Sequence, residues 1–443
     1  MLVAARIAAV TVFSHLYAIW TGTDEGNIPA ECAVIRDFSG GKEKSNGIEV
    51  DVTESTIEET LSTGLFSSRG RNKMGWSHQT YADFLAAQYL KQNGMSHDQI
   101  MSLLIHPTDP DEKLIPQLHN TAAWLAGKDK YIFREILKRD PEILLHSNVV
   151  AQDKKDRKDL VDTLFKLLEE NKLHRLFGLH GRIRNLYHPE LQDQLKEYIS
   201  DCNKSNRSRL AAIDITEAYE MKPLVNDMIK IALDPIEQMI IRENVTDAIS
   251  RIGNEETKVK LKSLLVNEPE KDISDQLKGC VLRALWPNHL TVKELLTVLT
   301  PPQNQNVIGS YDGFISHDLV QHLKPSDIPI ALKWIENQVT RLSPLFPLND
   351  LIEQVMLKSW NYIDRPDIIE PFARICLSML RNHGELFRNE RSHTFACALK
   401  DEDHNRHRVL ETMLPLLSLP SYDSTLLIFS STPFVLRKDI PWM

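Results

Sequence analysis

His404 and His407 stand three residues apart in the run Lys400-Asp-Glu-Asp-His-Asn-Arg-His-Arg408, with Asp403 beside them and Cys397 just upstream. On a helix such a pair faces one side, and imidazole with thiolate is a donor set that zinc accepts. The run alternates in charge as a solvated helical face does, so the expectation is no metal. His174, His180 and His188 are too irregularly spaced to form a ligand set. Nucleophilic chemistry has less support still. No G-x-S-x-G elbow occurs, and Cys376 falls on an apolar helical stripe, where a buried thiol is structural. Phosphate chemistry would need G-x-x-x-x-G-K-[ST], in which backbone N–H groups cradle phosphates and a hydroxyl holds magnesium. Gly40-Gly41-Lys42 lacks the first glycine and the hydroxyl, and Gly127-Lys128-Asp129 fails in the same way. No Asp-Asp or Asp-Glu pair on a strand offers a magnesium site in the first part of the chain. These residues predict a protein that is not an enzyme, with no catalytic residue, no metal and no cofactor of its own.

A chain of 443 residues is too long for one hydrophobic core, so several domains or a repeat array must organise it. Apolar residues at 42% and charged residues at 26% are ordinary globular composition and exclude wholesale disorder. The net charge of −9 provides no global positive field to hold a nucleic-acid backbone. Local basic clusters remain at Arg69-Gly-Arg71-Asn-Lys73, His180-Gly-Arg182-Ile-Arg184 and Asn203 to Arg209. The five cysteines (Cys32, Cys202, Cys280, Cys376, Cys397) are odd in number and contain no C-x-x-C pair. That pattern argues against disulfides and zinc fingers and for a reducing cytoplasm. The apolar stretch Met1 to Trp20 is interrupted by Arg6, lacks a small-x-small cleavage site and is short for a membrane span. It is read as a buried helix rather than a leader or anchor.

Residues 21–46 are rich in Gly, Asp and Lys and show no apolar period. Ile48-Glu-Val-Asp-Val52 alternates as a strand does, and Thr53-Glu-Ser-Thr56 caps a helix beginning near Ile57. Gly64-Leu-Phe-Ser67 and Met74-Gly-Trp-Ser77, across the polar tip Ser68 to Lys73, predict a β-hairpin. Helix, helix, then hairpin is the order of a winged helix. From His78 onward the period turns helical, with stripes such as Leu160, Leu164, Phe165 and Leu168, or Phe372, Ile375, Cys376 and Met379. No strand is expected between about 80 and 420. Trp124, Trp286, Trp334 and Trp360 sit at helical spacing as core anchors.

The middle of the chain repeats. Arg242 opens a helix carrying Val245, Ala248, Ile249 and Ile252, followed by a second helix from Val259 to Leu265. Arg209 holds the same place in the preceding unit, before a second helix at Leu224 to Leu233. Lys278 holds it in the following one, before Val292 to Leu299. A single helical pair cannot bury its inner face, so neighbours must stack, as in HEAT-like repeats.

One stretch carries a family likeness. Met74-Gly-Trp-Ser-His-Gln-Thr-Tyr-Ala-Asp-Phe-Leu-Ala-Ala-Gln-Tyr-Leu90 resembles the end of the winged-helix domain of NACHT-type STAND ATPases. The matching positions are Trp76, His78, Thr80-Tyr81, Asp83, Phe84, Leu85-Ala86-Ala87 and Tyr89-Leu90. Ala82-Asp83 departs from the commoner Gln-Glu. Motif and hairpin cover about 30 residues, and a looser likeness reaches residue 95. The resemblance implies a switch in which a P-loop core binds ATP or ADP with magnesium, the winged helix locks the ADP state and a helical array senses a ligand. Only His78 carries over as a nucleotide contact, matching the family histidine at the ADP phosphate, and that contact requires an NTPase core encoded upstream.

The resulting expectation is a mostly α chain. A winged-helix-like domain at 1–95 is followed by a helical linker domain at 96–200, HEAT-like repeats at 201–415 and an unassigned tail at 416–443. Its function would be non-catalytic ligand recognition for a STAND signalling ATPase in antiphage or innate-immune defence, with a protein ligand on the helical-repeat face. The alternatives are a free-standing α-solenoid scaffold and a winged-helix DNA-binding regulator. Nucleic acid is disfavoured by the charge balance, no membrane partner is expected, and the cytoplasm is the expected location.

Overall fold

The computed structural model describes residues 1–16, 18–22, 28–45, 47–145, 153–173, 186–267, 272–304, 309–339, 348–383, 392–417 and 434–439. His174, His180, the Arg182–Arg184 cluster and the strand-like Leu426 to Phe429 lie outside them. The chain is mostly helical and divides into two compact units, Met1–Tyr219 and Glu220–Met443.

The first unit opens with α1 (Leu2–Phe13), which is apolar on every side and therefore buried rather than amphipathic. It ends at Phe13 instead of continuing to Trp20. His15 takes a left-handed φ of 54°, and Ala18–Trp20 forms β1. Ile19 and Trp20 are bulky residues that suit a pleated strand flanked on both sides. β1 pairs in parallel with β2 (Cys32–Val34), which leads into the short α2 (Ile35–Phe38). A separate hairpin joins β3 (Lys42–Ser45) to β4 (Ile48–Asp51) through Gly47, whose φ is 79°. Thr53 then caps α3 (Glu54–Leu61), its hydroxyl accepting the Thr56 N–H at 3.2 Å. The wing follows as β5 (Phe66–Ser68) and β6 (Lys73–Trp76). The sheet runs β2-β1-β6-β5, with β1–β6 and β6–β5 antiparallel. Its β1-β6-β5 part, with a helix directly before the hairpin, is winged-helix-like.

α4 (Gln79–Gln92) leaves the wing and packs along α1. Ala4, Ala5, Ala8 and Ala9 on one helix, and Ala82, Ala86 and Ala87 on the other, are all buried and let the two backbones approach closely. The rest of this unit is helical: α5 (His97–Leu104), α6 (His119–Ala126), α7 (Lys130–Arg139), α8 (Lys154–Glu169), α9 (Leu191–Ser200) and α10 (Asn206–Ala218).

The second unit is built from stacked helical pairs. It comprises α11 (Val225–Leu233), α12 (Met239–Ile252), α13 (Glu255–Lys260), α14 (Leu264–Asn267), α15 (Gln276–Leu285) and α16 (Val292–Val298). Next come α17 (Ser310–Gly313), a π-helical segment Phe314–Asp318 and α18 (Leu319–Gln321), which run on from one another. α19 (Ile328–Val339), α20 (Leu348–Trp360), α21 (Pro366–His383), α22 (Ser392–Asp401) and α23 (Asp403–Met413) complete it. First helices stack on first helices: α12 on α15, α15 on α17, the π segment on α20, and α20 on α22. Second helices do the same, α16 on α19, α19 on α21 and α21 on α23. Two rows therefore share one core, which is how a solenoid buries faces that no single pair can cover. The helix expected at Val259 to Leu265 is broken by a 3-10 turn at Leu261–Ser263 into α13 and α14.

The basic anchors have a structural basis. Arg242, fourth residue of α12, is fully buried and donates from Nε to the Ala232 carbonyl at 3.0 Å, in the last turn of α11. Arg209, fourth in α10, donates to the Ile199 carbonyl at 3.2 Å, in the last turn of α9. Arg406, fourth in α23, donates to the Leu399 carbonyl at 2.7 Å near the end of α22. In each case a buried guanidinium satisfies carbonyls that a helix end leaves without intrahelical donors. Lys278 departs from this pattern. Its Nζ reaches Thr300 Oγ1 at 2.7 Å and lies 4.5 Å from the Tyr311 ring centre. Trp286 and Trp360 are buried anchors, as expected, whereas Trp124 and Trp334 are half-exposed.

Candidate functional site

The motif that the sequence singles out spans the junction of β6 and α4. Trp76 ends β6 with its ring against Phe66, centroids 4.3 Å apart, and its buried Nε1 donates to Thr11 Oγ1 on α1 at 3.2 Å. Leu85, Ala86, Ala87 and Leu90 form the buried face of α4. Phe84 meets the Trp124 ring edge-on at 5.2 Å, which joins α4 to α6. Tyr89 donates to Glu43 Oε1 at 3.2 Å, and Arg6 pairs with the same oxygen at 3.2 Å. Glu43, from the strand β3 that sequence reading missed, thus ties α1, β3 and α4 together while buried.

Asp83 is the buried acid of the motif. It accepts from Gln79 at 3.4 Å and from Thr121 on α6 at 3.3 Å. Burial pushes its carboxyl above the ordinary range, and these donors only partly oppose that. It is a structural joint, not a solvent-facing acid.

His78, Gln79, Thr80 and Tyr81 remain exposed at the start of α4. His78 occupies the N-cap position in extended backbone, makes no side-chain cap bond and sets its ring edge-on to Tyr81 at 5.5 Å. An imidazole beside unfilled N–H groups at the start of a 14-residue helix can donate to an anion.

Two wing cations are engaged. Lys73 pairs with Glu31 at 2.9 Å, and Arg69 folds back to donate to the Trp76 carbonyl. Only Arg71 extends from the tip without a partner among the described residues, a poor start for tracking a phosphate backbone.

His404 and His407 do not converge. His404 lies 3.1 Å from Asp364, whereas His407 lies 2.8 Å from Asp439. Among the described residues no group of three or more potential ligands gathers. The expectation that this run is a solvated face is corrected by Arg406, which is fully buried. It donates to Asp439 Oδ1 at 2.6 Å and to Asp403 at 2.5 Å. Burial alone would raise the Asp439 carboxyl. Hydrogen bonds from Arg406 and His407 override it and hold the group well below the usual range. Cys376 is completely buried with its thiol pushed up by burial, and burial lifts Cys280 to about 12, so neither is a nucleophile at neutral pH.

One groove in the second unit, missed by sequence reading, encloses about 640 Å³ between the turn after α15 and the turn before α19. Trp286, Leu290 and Ile330 line it together with His289, His322 and Lys324. No described helix is long and apolar enough to cross a membrane. Comparisons with protein-family models, curated proteins and solved structures find no match to this chain.

Proposed function

We propose that this chain is the non-catalytic, ligand-recognising portion of a STAND (NACHT-like) signalling ATPase, acting in antiphage or innate-immune defence. The helical pairs of the second unit take a protein ligand, and the wing-to-α4 junction couples to an ATPase core lying outside these residues. The observation that carries this reading is the Trp76 to Leu90 motif at the exit of a winged-helix-like sheet, with His78 exposed at the helix start. Stacked pairs with a lined groove supply the kind of surface that recognition needs.

A free-standing HEAT-like scaffold is favoured by a different observation. Trp76, Asp83, Phe84 and Tyr89 are all engaged in packing or buried hydrogen bonds, which a scaffold requires equally. An in-frame G-x-x-x-x-G-K-[ST] segment encoded upstream of Met1 supports the first reading over the second. Calorimetric titration of the purified chain with ATP or ADP and magnesium tests the non-catalytic assignment. No tight binding is expected, and sub-micromolar affinity overturns it.

A further inference from the structure

In the second unit the turns inside successive helical pairs are bridged to one another by side chains. Glu255, at the start of α13, lies 2.7 Å from His289 in the turn of the next pair. Arg365 donates to the Pro325 carbonyl at 3.2 Å, and His404 lies 3.1 Å from Asp364. The turns at 287–291 and 322–327 are also neighbours, yet no polar contact joins them among the described residues. The groove of about 640 Å³ opens there instead. Its apolar lining is Trp286, Leu290 and Ile330, with the Trp286 ring fixed by a hydrogen bond from Nε1 to the Leu319 carbonyl at 3.1 Å.

Formal charge at the groove is balanced, with Lys293 and Lys324 set against Glu294 and Asp327. Engagement is not balanced. Glu294 pairs with Lys262 at 2.6 Å and accepts the Thr291 N–H at 2.8 Å, and these donors hold its carboxyl down at about 2. Asp327 accepts the Lys324 N–H at 3.2 Å and the Ser326 hydroxyl at 3.4 Å. Both acids are thus committed to their own turns. Lys293, His322 and Lys324 are exposed, and their side chains have no partner among the described residues. Lys293 belongs to one wall, His322 and Lys324 to the other, and the apolar lining is shared between the two. Single exposed lysines are ordinarily just solvated. Donors on both walls of an apolar-lined recess, with every carboxylate already taken, call for acceptors brought by a ligand. A small free anion would satisfy the donors and leave Trp286, Leu290 and Ile330 uncovered, whereas a peptide segment can do both.

We infer that this groove docks an acidic protein segment, whose Asp or Glu side chains reach Lys293 on one wall and His322 and Lys324 on the other while an apolar side chain between them covers Trp286, Leu290 and Ile330. This rests on the reading of the second unit as a protein-recognition surface and specifies the chemistry of the partner.

The test uses the full chain and two peptides carrying an uncharged dye, Ala-Leu-Glu-Leu-Glu-Leu-Ala and its counterpart with glutamine for glutamate, followed by fluorescence anisotropy. The acidic peptide is expected to bind at least about tenfold tighter, equivalent to one charge-assisted contact. Lys293→Gln combined with Lys324→Gln should erase that preference and keep the parent melting midpoint, because neither side chain has a partner to lose. Ile330→Ser should weaken both peptides alike. Lys333→Gln, on α19 but outside the groove, should change nothing. Equal affinity for the two peptides overturns the inference, as does a preference that survives the double substitution or falls as far with Lys333→Gln. Inorganic phosphate that raises the melting midpoint through Lys293 and Lys324, with no preference between the peptides, also overturns it and assigns the groove to a free anion. A flat peptide series with no tight nucleotide binding removes this site and leaves the proposed function standing. Sub-micromolar nucleotide affinity with the acidic preference intact removes the proposed function and leaves this site.

Discussion

Replacing Arg242 by methionine isolates the buried guanidinium that joins one helical pair to the next. Methionine keeps most of the stem volume, so the loss is that of the guanidinium's polar contacts, among them the hydrogen bond from Nε to the Ala232 carbonyl at 3.0 Å. Ala232 is fully buried, so that carbonyl has no water to turn to when its donor is removed. A hydrogen bond to a charged group contributes about 1.5–3 kcal/mol, and the expected loss of stability falls in that range. Arg242→Ala also removes two buried methylenes at about 0.8 kcal/mol each, bringing its loss to roughly 3–5 kcal/mol. Exchange of a buried ionic group for a hydrophobic one is often neutral when both partners are replaced together. Here the acceptor is backbone and cannot be replaced. Hydrogen exchange read by mass spectrometry on the full chain resolves the effect. Protection should fall in α11 and α12 and stay unchanged in α4, which belongs to the other unit. If Arg242→Met lies within about 0.5 kcal/mol of the parent, the anchor reasoning is refuted, because surface-type substitutions show that much.

Three further outcomes are expected. Asp83 has its pKa raised by burial, so its contribution is complete below the unfolded value of about 4 and is lost as pH rises through the folded one. Asp83→Asn should therefore raise the melting midpoint of the first unit at pH 8 and leave it unchanged at pH 4. A Cβ added at Gly279 would sit 2.2 Å from the Tyr311 backbone nitrogen, so Gly279→Ala should cost at least about 2 kcal/mol in urea unfolding. Gly64→Ala, with open space around it, should cost less than about 1 kcal/mol. Asp439 has the opposite sign to Asp83: its pKa is lowered, so its stabilisation is present at neutral pH and is lost as pH falls below about 4. Asp439→Asn should cost about 3 kcal/mol, the lower end for a broken buried pair, because Arg406 keeps Asp403 and the Leu399 carbonyl. Limited proteolysis should then cut first around α22 and α23.

Elements with an apolar period were legible, and those whose inward face is polar were not. The stripe Leu160, Leu164, Phe165 and Leu168 is buried as its spacing predicts, and Thr53 caps α3 as its position before Glu54 suggests. Lys42–Ser45 reads as loop because its side chains alternate charge instead of hydropathy. Lys42 and Lys44 each meet Glu49 across the hairpin at 2.6 Å, while Glu43 turns inward to Arg6 and Tyr89. A strand stabilised by cross-strand ion pairs on one face and a buried carboxylate on the other has no hydrophobic period to detect. Trp20 misled in the opposite direction. A continuous apolar run is equally a buried helix or a helix followed by a buried strand, and the break at Ser14-His15 depends on a left-handed φ that no bulky glycine-like signal announces.

The same physics sorts the candidate sites. The charge run around His404 reads as a solvated face because alternation of sign is what water-facing helices show, yet Arg406 lies completely buried within it. Its partner Asp439 is 33 residues downstream, and a pairing at that separation is a tertiary fact with no local trace. Arg209 and Arg242 could be recognised because they recur at the same place in successive units, so the repeat supplied the register that Arg406 lacked. Glu243 and Asp272 fall between these cases. Each looks like ordinary surface charge in its own helix or turn, and only the packing of α12 on α15 lets the Asp272 charge reach Glu243. In a solenoid, therefore, what repeats within a pair is written along the chain, whereas what two neighbouring pairs make between them is not. A ligand that recognises such a protein reads the second kind of information, so its determinants are to be sought where adjacent pairs meet.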